Sequence, residues 1–387
     1  MRSLVNPLKI WFFALAFCLS TVAVSAADEL QTPVDRWLQD KTKRYTPVGA
    51  PVEWKFAHPA PPVSLLPPIW QSGFDWLQAV TGNGITFKVY GGSALYGMKG
   101  GFRAIRSQVA DYGTCYTFAE PRGFELLKTF QLPYVAPENP YQTARIINEL
   151  MATTLKKEFN ARGVYPAHVV PVRPLSLMSK TPVRTPADLR GKKVISFMNT
   201  PGAAEAIGFA EVHIPFTEIY TALQQGIVDA VIWVDTGFVP FRIYEQARFY
   251  TELKVAPATL ETCFNQKSFD RLPVGLKQEV YDFQQKVGIS VVKEGEVFAV
   301  QAKEILQQNG VEIITLSPEQ DKLWRSAFTP VVERWMKSCA NVGKDCRALV
   351  KEIDQLKEKY AKYSNDELMS LAIDQPVQNI IEFAGTK

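Results

Sequence analysis

Acid–base, nucleophilic and metal chemistry need histidines, thiols or carboxylates in ordered groups, and this chain scatters them. Its three histidines, His58, His168 and His213, show neither the His-Glu-x-x-His spacing that puts two imidazoles on one helix face nor a nucleophile elbow. Carboxylates are plentiful but nothing orders a pair for proton transfer. A Cys115 nucleophile would need a histidine close in space, which spacing does not show. The run Gly91-Gly92-Ser93-Ala94-Leu95-Tyr96-Gly97 lacks the Gly-Lys-Ser/Thr ending of a phosphate cradle and reads as a strand-to-helix connection facing a cleft. Aromatic side chains gather near predicted strand ends: Tyr96, Tyr116, Phe197, Phe216 and Trp233. Asn199, His58, Arg173 and Asp235 stand near the same ends. Taken singly, each aromatic is an ordinary core residue; Arg173 also fits a domain interface, and Asp235 a loop cap. No enzyme activity, cofactor or metal is expected.

The elements that must position these residues follow from hydrophobic period and punctuation. Alternation predicts strands over 52–57 and 85–90, with helices over 69–80 and 102–109 and a third strand over 111–118. An amphipathic helix over 141–162 buries Ile146, Ile147, Leu150, Met151, Leu155 and Phe159 and ends at Gly163. A strand over 165–172 leads into a second domain. There Thr185-Pro186 caps a short helix, 192–197 is a strand, and a helix over 216–226 precedes an apolar run over 228–234 that suits a buried parallel strand. A long helix over 276–308 stops at Asn309-Gly310. A short strand over 311–316 follows, and Ser317-Pro318-Glu319-Gln320 opens a helix reaching Lys337. Strands alternating with helices predict an α/β fold with open sheets flanked by helices.

The first 26 residues have the form of a secretory signal peptide: Arg2 and Lys9, an apolar run over 10–19 too short to span a bilayer comfortably, and Ala23-Val24-Ser25-Ala26 for cleavage. The chain holds 43 Lys and Arg against 39 Asp and Glu. Losing Arg2 and Lys9 would bring the balance to +2, which with no basic block argues against nucleic acid. Cys18 would leave with the leader. Cys115 and Cys263 are isolated and read as buried small apolar side chains, while Cys339 and Cys346, either side of a turn at Gly343, are open between a local disulfide and free thiols. The length predicts more than one core. We divide the chain into a signal peptide (1–26), an N-terminal extension (27–50), a first α/β lobe (51–168), a second (169–260), a crossing strand and long helices completing both (261–338), and a helical tail (339–387).

Two blocks carry a resemblance: Thr185-Pro186-Ala187-Asp188-Leu189-Arg190-Gly191-Lys192-Lys193, and the segment from Pro215-Phe216-Thr217-Glu218 through Gly226-Ile227-Val228-Asp229-Ala230. Over roughly 52–336 the chain resembles the solute-binding proteins of tripartite ATP-independent periplasmic (TRAP) transporters. The resemblance implies a two-domain periplasmic clamp with a long helix spanning the domains, a small ligand held between them, and membrane permease subunits as partners; the oligomeric state stays open. It also implies two departures. The family's ligand-carboxylate arginine falls at Ile195, and the tryptophan of its 2-oxoacid-binding subgroup falls at Trp233, with Ile232 where that subgroup has a metal-binding glutamate. The implied ligand is therefore weakly polar or amphipathic. A ligand carrier or sensor subunit on the same fold is the second reading.

Overall fold

The computed structural model describes residues 31–198, 200–215 and 218–383. The predicted leader and the candidates Asn199 and Phe216 lie outside the described residues. Strands β1 (Val52–Ala57), β2 (Ile85–Tyr90), β3 (Tyr112–Thr114), β4 (Val164–Pro174), β5 (Ser176–Ser179), β6 (Lys193–Ser196), β7 (Ala210–Glu211), β8 (Ala230–Trp233), β9 (Phe249–Thr251), β10 (Pro257–Asn265) and β11 (Glu312–Ile314) form two sheets. Their orders are β2-β1-β3-β10-β4 and β11-β9-β5-β8-β6-β7. β1 runs parallel to β2 and β3, and β6 parallel to β7 and β8, as the βα alternation requires. Each sheet also takes antiparallel strands: β10 in the first, β5 in the second.

The chain crosses between lobes at Leu175, between β4 and β5, and returns over 252–256. β4 stays in the first sheet through Pro174 because β10 pairs along it from Asn265↔Val164 to Pro257↔Pro174. The crossing therefore lies beyond residue 169. Two helices tie the lobes. The helix Val274–Gln308 buries Leu276, Val280, Phe283 and Val287 in the first core and Leu306 in the second. The helix Pro318–Asn341, capped by Ser317 as its sequence predicts, buries Trp324 and Phe328 in the second core and Met336 and Cys339 in the first.

The flanking segments both cover the first lobe. The helix Pro33–Gln39 sets Trp37 against Trp76, ring centroids 4.9 Å apart, and Lys293 reaches Asp35 at 3.0 Å. The tail helices Cys346–Tyr360 and Asn365–Asp374 pack on the helix Pro140–Leu150, and Tyr281 donates to the Val377 carbonyl at 2.6 Å. A π turn, Met151–Leu155, interrupts the predicted helix over 141–162. The wider turn re-phases the apolar stripe, and Leu155 and Phe159 stay buried.

The expectation for Cys115 and Cys263 is corrected: they form a disulfide, 148 residues apart in sequence. β10 returns antiparallel to β3, with Cys263 opposite Gly113 and Cys115 donating its N–H to Glu261 O. No local pattern announces that pairing. Cys339 and Cys346 are also bridged.

Candidate functional site

The ligand end of an open α/β sheet is the carboxyl end of its parallel strands. In the second lobe those ends carry aromatic rings. β6 and β8 pair Ile195↔Val231, and Phe197 N–H donates to Ile232 O at 3.0 Å, so Phe197 stands beside Trp233. The pleat sends Ile195 and Trp233 to one face and Val194 and Ile232 to the other. The Trp233 ring lies 5.0 Å from Phe197 and 5.1 Å from Phe241, both tilted. Ile195 does not form the crevice surface. It is 2 % exposed, packed among Met178, Val231 and Phe238 beneath the aromatic layer.

The first lobe's strand ends are organised differently. His58, after β1, is buried against Trp70, and burial lowers its pKa, favouring the neutral ring. The Tyr96 hydroxyl sits between the carbonyls of Ala57 (2.6 Å) and Thr114 (3.0 Å), lacing β1 to β3. Tyr116 is buried and stacks on Phe118, centroids 5.1 Å apart; Phe118 is 40 % exposed. The predicted strand over 111–118 ends at Thr114 because Glu261 captures the next turn. Its carboxylate accepts from Thr117 N (3.0 Å) and Thr117 Oγ1 (2.9 Å), and also from Thr259. Burial pushes Glu261 up to about 7 against those donors. Gln131 bonds Thr259, and Thr200 of the second lobe donates to the Gln131 carbonyl at 3.3 Å.

Arg173 lies at the hinge. Its Nε donates to Asp235 Oδ2 at 3.1 Å and its Nη1 to both Glu296 oxygens at 2.9 Å. Tyr250 donates to Asp235 Oδ1 at 2.8 Å. Burial pushes the Asp235 carboxyl up, opposed by Arg173, Tyr250 and Ser176, while the two carboxylates hold Arg173 above its ordinary value against burial. Arg173 and Asp235 thus answer each other, joining β4, the short turn of helix after β8 and the long helix. Two small hollows open beside them. One of about 190 Å³ is lined by Tyr134, Glu138, Lys254 and Arg325; one of about 250 Å³ by Arg173, Tyr250, Glu252 and Glu296. Ile195 and Trp233 line neither.

His168 is a core residue bonded to Tyr112 (3.0 Å) and Trp70 (3.4 Å), with burial lowering its pKa to about 3, and His213 is exposed. Among the described residues no three His, Cys, Asp or Glu side chains are placed to hold a metal ion. Phe118, Phe241 and Glu261 also stand at these strand ends, and none of them carries a local signal in the sequence.

Two α/β lobes joined by two crossing segments and bridged by a long helix make a solute-binding clamp. The chain belongs to family 7 of the bacterial extracellular solute-binding proteins, which it matches over residues 75–338. Among curated proteins it is 28% identical over 149 residues to the 2,3-diketo-L-gulonate-binding periplasmic protein YiaO of Escherichia coli, covering 35% of this chain and 42% of that one. It is 29% identical over 161 residues to a solute-binding protein of Albidiferax ferrireducens, covering 37% and 44%. The chain thus spans less than half the length of these curated relatives. Among solved structures, a TRAP solute-binding protein of Rhodoferax ferrireducens with copurified benzoate superposes with a TM-score of 0.73 at 20% identity, covering 80% of this chain and 99% of that one. A marine metagenome TRAP protein specific for aromatic acids, holding 3-hydroxybenzoate, gives 0.72 at 20% identity, covering 81% and 100%. At such identities the likeness shows the fold.

Proposed function

We propose that the chain is the extracytoplasmic solute-binding subunit of a TRAP-type transporter, closing its lobes on a small molecule and delivering it to membrane permease subunits. It binds and does not catalyse. The leader over 1–26 exports it, and its two disulfides suit the oxidising compartment beyond the inner membrane. Closure follows from ligand contacts made to both lobes at once, since only differential affinity for the closed state shifts the equilibrium.

The observation that carries the ligand reading is what stands at the two positions where the family resemblance would place, or nearly place, an arginine. At 195 stands a covered isoleucine, and Arg173 is already held by two carboxylates. Burying an unpaired ligand carboxylate costs several kcal/mol, so a weakly polar or amphipathic ligand with a flat apolar body fits best. Trp233 and Phe197 form its platform in the second lobe, with Phe118 on Tyr116 in the first. That benzoate and 3-hydroxybenzoate occupy proteins of this fold supports a ring-sized guest. Asn199 and Phe216 complete the proposed lining, with Ile195, Tyr96 and His58 as its support.

The missing arginine also favours a second reading, a periplasmic carrier or sensor subunit on the same clamp. Native mass spectrometry of protein purified from its own host identifies the guest, and small-angle scattering with and without that guest reads closure. The proposal expects a compaction. A guest bound with no change in radius of gyration contradicts it.

A further inference from the structure

We propose that Gly237 positions the Trp233 ring and thereby sets what the crevice accepts; the selectivity half of this rests on the binding reading above. Gly237 lies in the short helix Asp235–Phe238, directly after β8. Its backbone does not require glycine, since its φ is not positive. Helix propensity disfavours glycine there relative to alanine. What demands it is the indole. A Cβ on Gly237 would lie 2.5 Å from Cζ3 and 2.6 Å from Cδ2 of Trp233, and closer still to Cε3. Those are atoms of a rigid bicycle, so no flexible tip can give way.

The helix cannot retreat either. Asp235 is bonded to Arg173 and Tyr250, and Phe238 is fully buried, 6.0 Å from the Tyr250 ring. Phe197 and Phe241 flank the indole. Any side chain at 237 therefore displaces the half-buried indole from its place between Phe197 and Phe241. Gly237 and Trp233 act as one element: the glycine gives the ring its depth, and the ring gives the glycine its reason. Gly237 is a positioning residue that touches no ligand itself.

The test uses the mature protein labelled with 5-fluorotryptophan, the Trp233 resonance being assigned by its loss in Trp233→Phe. Gly237→Ala is expected to shift that ¹⁹F resonance without ligand present. By calorimetry it should weaken benzyl alcohol, the neutral ring probe, about tenfold, the worth of one well-placed ring contact. In a Trp233→Leu background the same substitution should change affinity by less than about twofold, because its effect passes through the ring. An unmoved resonance, or an undiminished loss in the leucine background, overturns the proposal. If the native protein ignores benzyl alcohol, the ligand reading fails and the resonance alone decides the positioning claim. If Gly237→Ala fails to fold, the double variant should fold and melt with Trp233→Leu; failure of that rescue also overturns it.

Discussion

The strand ends of the two lobes are finished differently. In the first, polar side chains at the strand ends are turned inward and satisfied: Tyr96 on the carbonyls of Ala57 and Thr114, Glu261 on Thr117 and Thr259. In the second, Asp235 is likewise buried and held by Arg173 and Tyr250, but the surface beside it is apolar, with Ile195 packed against Phe197 and Trp233. The first lobe is also the reinforced one. Both disulfides reach its core, and the N-terminal helix and the tail pack there. The family match, 75–338, leaves out the segments that wrap it. A clamp built this way has one heavily braced jaw and one whose character lies in a small aromatic cluster.

Four changes would break or sharpen that contrast. The largest effect should come from the bracing. Cys115→Ala with Cys263→Ala opens a loop of 148 residues and should cost about 4 kcal/mol in urea unfolding. A negligible loss would mean the staple does not brace the first jaw. Next, Ile195→Arg places a cation in an apolar cluster and should destabilise by about 3 kcal/mol. If that variant instead melts like the native protein and gains benzoate affinity, position 195 opens to the crevice after all.

Third is Glu261. Its pKa rises from 4.5 unfolded to about 7 folded, so the native state holds more protons between those values and stability falls as pH rises through that window. Glu158, raised by burial to about 7, adds in the same sense. Glu261→Gln should gain on the order of 2 kcal/mol at pH 8 and flatten the slope, leaving the Glu158 share. An unchanged pH profile of melting temperature would place the titration elsewhere. Smallest is Tyr250→Phe, which removes one donor to Asp235 and should cost about 1 kcal/mol. A loss several times larger would make the hinge network more cooperative than its pairs.

The alternation of strands and helices, the long helix stopped at Asn309-Gly310 and the buried β8 run were legible in the sequence because each is local. The β3–β10 pairing was not, since it joins segments far apart in the chain, and the buried disulfide was hidden with it. The burial of Ile195 was hidden for another reason. β6 is apolar at both Val194 and Ile195, so no period of two says which face meets the ligand. Likewise Arg173 looked available because its partners Asp235 and Glu296 come from other elements.

The most direct test of the central claim is a calorimetric titration of the mature protein with matched probes, benzyl alcohol, benzoate and succinate. The neutral ring should bind at least about tenfold tighter than either anion, as an unpaired carboxylate must be desolvated. Micromolar binding of succinate or benzoate, with benzyl alcohol silent, would contradict it.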